Sequence, residues 1–302
     1  MNAHWNDNKI YNEARKIVGA IIQHITYKEY LLNVLNDPTR EKYGLKLSNT
    51  GFVDEYEASV NPTIKNAFAA AAYRFGHSMI PPVEGLKKKN NRLVEDEFLE
   101  QIFLDQDFLL QKSARAVEML AQYAITEPSR EVDRFFESAI RNRLFENVED
   151  VGFDLTALNI QRGRDHGLPA YVDWRVYCEL DTEKLISFQE LHLTHDQHAI
   201  EQLGKAYANV RDIDLYAGAM SEQRLPNSYV GPTFSCLIGE QFEALKKGDR
   251  FWYEMPTRQG FKEGKILQSF ELNNLKMIEA KLNLALRTSD LREQSHDVHT
   301  IF

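Results

Sequence analysis

Apolar residues return every three or four positions along most of this chain, the spacing of a helix that buries one side. Ile10, Ala14, Ile17, Val18, Ile21 and Ile25 predict an amphipathic helix from Asn8 to about Ile25. Thr26 and Glu29 have the spacing of a capping box, so a second short helix is expected to begin there, carrying Tyr30, Leu31, Val34 and Leu35. Asn36-Asp37-Pro38-Thr39 ends it, and Thr39 to Ser59 reads as a loop. Asn61–Ile80 reads as one helix, with Asn61 as N-cap, Pro62 at the first position and Pro81-Pro82 as the stop. Phe68, Ala72, Phe75 and Met79 form its core face, while Arg74 and His77, three residues apart, share another. Lys87-Lys88-Lys89 reads as a solvated loop. Further helices are predicted over Leu109–Ala124 and Glu131–Val148, the second closed by Gly152. Period-2 alternation is absent, so the expected class is mainly α.

Composition narrows the function classes. The 302 residues are 43% hydrophobic, enough for a substantial core. Lys+Arg 36 against Asp+Glu 45, net −9, argues against a nucleic-acid surface. No apolar run approaches the roughly 18 residues of a membrane span. The polar start Met1-Asn2-Ala3-His4-Trp5-Asn6-Asp7 is no signal peptide, so the chain read by itself is cytoplasmic. With only two cysteines and no C-x-x-C, a common structural zinc site is not expected. His192, His195 and His198 are spaced by three, but Thr194 reads as the N-cap of an ordinary helix and a metal site is not the expected reading. His24 reads as core or surface rather than as a ligand, and His296 and His299 lie in a tail without interpretation.

Chemistry concentrates in two stretches. In DLTALNIQRGRDHGLPAY, Asn159, Gln161, Arg162, Arg164, Asp165 and His166 crowd into eight positions. A core helix cannot tolerate such a set unpaired, so a buried anion or a fixed network is expected. ALNIQRGRDHGLP resembles a highly specific signature of the animal haem peroxidase family, the one that includes myeloperoxidase and peroxidasin. AAYRFGHSMI resembles that family's proximal-ligand segment, and EARKIVGAIIQHITYKEYL, RDIDLYAGAMSE and VGPTFSCLIGEQFEALKKGDRFWYE resemble further parts of it. The resemblance runs from about residue 4 to Glu254 and fades beyond.

The resemblance implies a multi-helix peroxidase fold, with residues 1–302 forming one domain, the C-terminal two thirds of the family's peroxidase domain. It implies haem b, plain or in the family's covalently modified form, with His77 giving Nε2 to the iron as axial ligand. It implies that Asn159 accepts a hydrogen bond from His77 Nδ1–H, and that Arg74 and Arg162 pair with the haem propionates. Arg164, Asp165 and His166 match the motif and read as a local network holding the turn. Cys178 and Cys236 match positions that are disulfide-bonded in the family. Hydrogen peroxide and a small reducing substrate are the implied partners, response to oxidative stress the implied role, and a secreted parent protein the implied setting.

The family's distal histidine, charge-stabilising arginine and calcium loop lie N-terminal to the matched region. His4 and His24 stand in the wrong context for the distal histidine. The implied function is a haem-dependent peroxidase of which this chain carries the proximal side, with no catalytic distal residue and no calcium site. The alternative is a remnant of the family that binds haem without turnover or serves as an interaction module.

Overall fold

A computed structural model describes residues 4–48, 51–87, 90, 92–103, 107, 116–146, 151–181 and 183–256. The fold is mainly helical, as the periodicity predicts. It divides into two compact units, one from the stretch up to Thr63 together with that from Gly239 onward, the other from Ile64–Ile238.

In the first unit, α1 (Asp7–Ile25) starts where Asn6 accepts from the Lys9 N–H at 3.0 Å. No second helix is capped at Thr26. Its backbone stays helical, its hydroxyl donates to Ile22 O at 2.8 Å, and Thr26–Tyr30 winds as a wider π turn into α2 (Leu31–Val34). A hydroxyl bonded one turn back inside a continuing helix is not available to cap a new one. The π turn places Tyr27 edge-on to Phe242 and Trp252, with its hydroxyl on Phe242 O at 2.6 Å. Leu31, Val34, Leu35 and Leu45 are fully buried around it. Ile10, Val18 and Ile25 are exposed, so the apolar period identifies the helix but not the side that packs, which is carried by Ala20 and Tyr27. The expected loop from Thr39 contains the last turn of another helix. Asn36, extended, caps α3 (Asp37–Lys42) by accepting from the Thr39 N–H at 3.1 Å, with Pro38 in its first turn.

The helix expected over Asn61–Ile80 is shorter and broken, and what forms lies in the second unit. Asn61 closes a local turn on the Thr63 N–H instead of capping a helix. α4 spans only Asn66–Ala70; the backbone leaves α geometry at Ala71 (φ −136°, ψ −70°) and tightens into a 3₁₀ segment, Ala72–Met79. Three residues per turn eclipse positions i and i+3. Arg74 and His77 therefore share a face, by a tighter winding than expected. Phe68, Ala72 and Phe75 are buried as the pattern predicts, and so is Ser78.

A β-hairpin follows, contrary to the expectation of no strands. β1 (Val83–Lys87) pairs antiparallel with β2 (Leu93–Phe98), Val83 opposite Phe98. Apolar residues do not alternate along either strand, so period 2 was invisible. Leu86 packs on Ala116, Met119 and Leu120 of the helix Ala116–Thr126, and α5 (Leu99–Ile102) contributes Ile102 to the same cluster. That helix, α6, is the described part of the one expected over Leu109–Ala124; residues 108–115 lie outside the described ones. Lys88 and Lys89 do too, whereas Lys87 ends β1. The helix expected over Glu131–Val148 shrinks to α7 (Ser138–Asn142). Asp133 captures the Phe135 N–H at 2.7 Å, the donor that would have bonded Glu131 O to start the longer helix. After α7, Leu144 bridges Phe153. Residues 147–150 lie outside the described ones.

α8 (Leu155–Asp165) opens on Asp154, which accepts from the Thr156 and Ala157 N–H groups at 2.8 and 3.0 Å. It closes on Gly167, whose φ of 64° an L side chain rarely adopts; the glycine N–H returns to Arg164 O and that of Leu168 to Gly163 O. α9 (Tyr171–Tyr177), α10 (Gln197–Ala206) and α11 (Leu215–Met220) follow. Asp196, not Thr194, caps α10, accepting from the Ala199 N–H at 2.7 Å. α12 (Pro232–Lys247) supplies residues up to Ile238 to this unit and those from Gly239 to the first. Cys178 and Cys236 are disulfide-bonded.

Candidate functional site

The 3₁₀ segment and α8 bring together residues 82 positions apart in sequence: Asn159 Nδ2 lies 3.0 Å from His77 Nδ1. Asn159 is wholly buried, so each polar atom of its amide needs a partner. Its Oδ1 accepts from Arg74 Nη1 at 3.0 Å. Arg74 Nε donates to Ala69 O at 3.0 Å, a carbonyl in the last turn of α4 that has no partner within the helix. The break at Ala71 thus frees the acceptor that fixes the arginine. Burial lowers the pKa of His77, and the charge of Arg74 lowers it further. The imidazole is therefore neutral at pH 7, the state in which histidine can donate a lone pair.

Arg162 is half-exposed and bonds Asp165 at 3.2 Å. It stands close enough to Arg74 for its charge, after burial, to lower the Arg74 pKa. Among the described residues no carboxylate pairs with Arg74. Two guanidiniums with a single exposed carboxylate between them favour an anion. Arg164 is committed elsewhere, forked onto Asp214 at 3.0 and 2.7 Å, with the Tyr207 hydroxyl on the same carboxylate at 2.8 Å. His166 meets Asn66 Oδ1 through Nδ1 at 2.6 Å, and Asn66 Nδ2 donates back to His166 O at 3.1 Å. Asn66 begins α4, so this pair ties the start of α4 to the end of α8.

Tyr216 was not singled out from the sequence. Its hydroxyl donates to Arg74 O at 3.2 Å, and its ring lies between Phe136 and Phe234. Burial raises its pKa far above the ordinary tyrosine range, with Asn159 and Arg74 acting in the opposite direction. The only signal was a tyrosine inside the apolar run Leu215–Met220.

The other histidines have ordinary partners. His24 Nδ1 meets the Tyr253 hydroxyl at 3.0 Å, and His192 Nδ1 meets Gln189 O at 2.8 Å. His198 Nδ1 lies 3.1 Å from Arg134. His195 is buried between Thr194 Oγ1 and Gly218 O, at 3.0 and 3.1 Å. Among the described residues no group of three or more His, Cys, Asp or Glu could hold a metal ion, and no helix is long and apolar enough to cross a membrane. His296 and His299 lie outside the described residues.

Burial lowers the His195 pKa to about 4. The unfolded chain, with an ordinary pKa of about 6.5, binds that proton first as pH falls. Stability is therefore whole above about pH 6.5 and is lost toward pH 4, by an amount on the order of 3 kcal/mol. The urea midpoint should drop across that window, and His195→Gln should flatten the drop. An identical pH profile in the two proteins would remove His195 as its source.

The sequence matches the family model for animal haem peroxidase over residues 1–283. The chain is 37% identical to the peroxidasin homolog of Mus musculus over 259 residues, 85% of this chain and 17% of that protein. It is 39% identical to heme peroxidase 2 of Caenorhabditis elegans over 258 residues, 83% of this chain and 35% of that protein. Among solved structures, peroxidase A from Dictyostelium discoideum aligns with a TM-score of 0.71 at 33% identity, over 83% of this chain and 45% of that one. The Oryza sativa fatty acid alpha-dioxygenase, at 19% identity and a TM-score of 0.67 over 93% of this chain and 51% of its own, shares the fold. The chain spans about half or less of the length of each of these proteins. By sequence and by fold it belongs to the animal haem peroxidase family.

Proposed function

We propose that this chain provides the proximal side of a haem-dependent peroxidase that oxidises a small reducing substrate with hydrogen peroxide. The observation that carries the reading is the meeting of a neutral His77 with a buried Asn159 beside two arginines. That donor set suits haem b: one nitrogen lone pair for iron, an amide to orient the ring, and planar cations for two carboxylates. His77 Nε2 would coordinate the iron, Asn159 positions the imidazole through Nδ1, and Arg74 and Arg162 would hold the haem carboxylates. Haem, when bound, supplies the redox-active iron at which peroxide is reduced. The protein's part on this side is to fix the ring and to neutralise the carboxylates. Distal acid–base chemistry and the family's calcium site are assigned to no residue of this chain, and residues 1–302 are read as one part of a peroxidase domain. The Cys178–Cys236 bond supports an oxidising, extracellular setting, because such bonds persist where thiols are not kept reduced.

The test is a haem titration followed by absorption and resonance Raman spectra. Wild type should show a histidine-ligated signature that His77→Ala loses, with far-ultraviolet circular dichroism unchanged. Equal affinity and equal spectra in the two proteins would refute the ligand assignment.

A further inference from the structure

Arg74, Asn159 and His77 form a directional chain, and donor chemistry fixes its direction. A guanidinium only donates. Arg74 Nη1 lies 3.0 Å from the Asn159 amide, so the atom it meets is the carbonyl oxygen. The amide nitrogen then faces His77 Nδ1 at 3.0 Å, and an N–H pointing there requires a lone pair on Nδ1. A neutral imidazole with its lone pair on Nδ1 carries its proton on Nε2. Turning the amide over with Arg74 in place would set an N–H against a guanidinium N–H. Tyr216 fixes the backbone of Arg74, its hydroxyl donating to the residue's main-chain carbonyl at 3.2 Å.

We propose that Arg74 is a latch on the tautomer of His77. While its guanidinium holds Asn159 Oδ1, Nε2 is protonated and offers no lone pair to a metal. An anion that draws Arg74 off releases the amide, which turns its oxygen to Nδ1. The Nε2 proton leaves to water, Nδ1 takes one from water, and the ring stays neutral. Carboxylate capture by Arg74 and metal ligation by His77 are thereby one coupled event. The charge of Arg162 beside Arg74 favours the outward move once an anion is present. That this anion is a haem carboxylate rests on the function proposed above; the hold of Arg74 on the tautomer does not.

The test is long-range ¹H–¹⁵N NMR of the haem-free 302-residue chain with labelled histidine, the His77 signals being those missing from His77→Ala. Wild type should show the Nε2–H tautomer. Asn159→Asp, whose carboxylate can accept from Arg74 and from Nδ1–H together, should show the Nδ1–H tautomer with Arg74 intact. Arg74→Leu should shift the population the same way. On mixing with haemin, the histidine-ligated absorption band should grow faster in Asn159→Asp than in wild type, on the order of tenfold for one charge-assisted hydrogen bond no longer broken. An Nδ1–H tautomer in wild type, or one tautomer shared by all three proteins, would overturn the latch; equal growth rates would overturn its coupling to ligation. The tautomers are read without haem, so they decide the latch, while His77→Ala in the haem titration decides the haem reading.

Discussion

Glu222→Ala is expected to lower the free energy of unfolding by about 4 kcal/mol, the range for breaking a buried, hydrogen-bonded charge cluster. The Glu222 side chain is completely buried. Burial pushes its carboxyl above the usual range, and the donors around it pull the other way. Tyr171 Oη and Thr233 Oγ1 each donate to Oε1 at 2.6 Å, the Thr233 N–H donates to Oε2 at 2.9 Å, and Arg175 Nη1 stands 3.4 Å off. Tyr171 can reach this carboxylate because Gly218 has no side chain; a Cβ there would sit 2.4 Å from the tyrosine ring. Truncation strands three donors in a dry cavity. Arg175 keeps its fork on Asp181 at 2.5 and 2.8 Å, so the loss comes from the stranded donors and the void rather than from an orphaned guanidinium. Glu222→Gln should cost about half as much, because its oxygen still accepts from both hydroxyls while its amide nitrogen opposes the Thr233 N–H. Urea unfolding at pH 7 measures both. An alanine variant within 1 kcal/mol of wild type, on the order of a surface substitution, would show that the cluster is not held together by Glu222. The same cluster seats the end of α11, the helix that carries Tyr216 behind Arg74, so its loss should also loosen the latch.

The periodic parts of the fold were legible because nothing local competes with them. α1 has an asparagine cap, a helical apolar period and no interfering side chain. α8 could be seen as a polar-rich segment, and its specific signature led to His77, Asn159 and the arginines, which the structure brings together. What stayed hidden was set by single hydrogen bonds that composition does not announce. Thr26 turns its hydroxyl back to Ile22 and the capping box never forms. Asp133 takes the Phe135 N–H that a predicted helix would have used in its first turn. Ala71 departs from α geometry inside a run of alanines, the residues with the highest helix propensity, because the tighter segment after it is held by Arg74 on Ala69 O and by Asn159. The orientation of the Asn159 amide is equally invisible in sequence: it depends on which neighbour can only donate. Motif matching names candidate residues, but their hydrogen-bond direction is a property of the assembled geometry.

Reduction of the Cys178–Cys236 bond is expected to lower stability by roughly 4 kcal/mol in the chain-entropy account, in which the bond restricts the unfolded chain more than it strengthens the folded one. The cysteines are 58 residues apart, a loop long enough for the logarithmic term to dominate. The bond joins the end of α9 to the second turn of α12, and between them in sequence lie His195, Tyr216 and Glu222. The enclosed stretch therefore holds Glu222 and Thr233 of the buried network, and Tyr216. Opening the loop leaves native contacts in place, so the unfolding slope against urea should change through the denatured state while the spectrum of the folded chain does not. Cys178→Ser with Cys236→Ser should reproduce the reduced protein and abolish any further effect of reductant. If reductant shifts the urea midpoint of the double variant as much as that of wild type, the bond is not the source of the stabilisation.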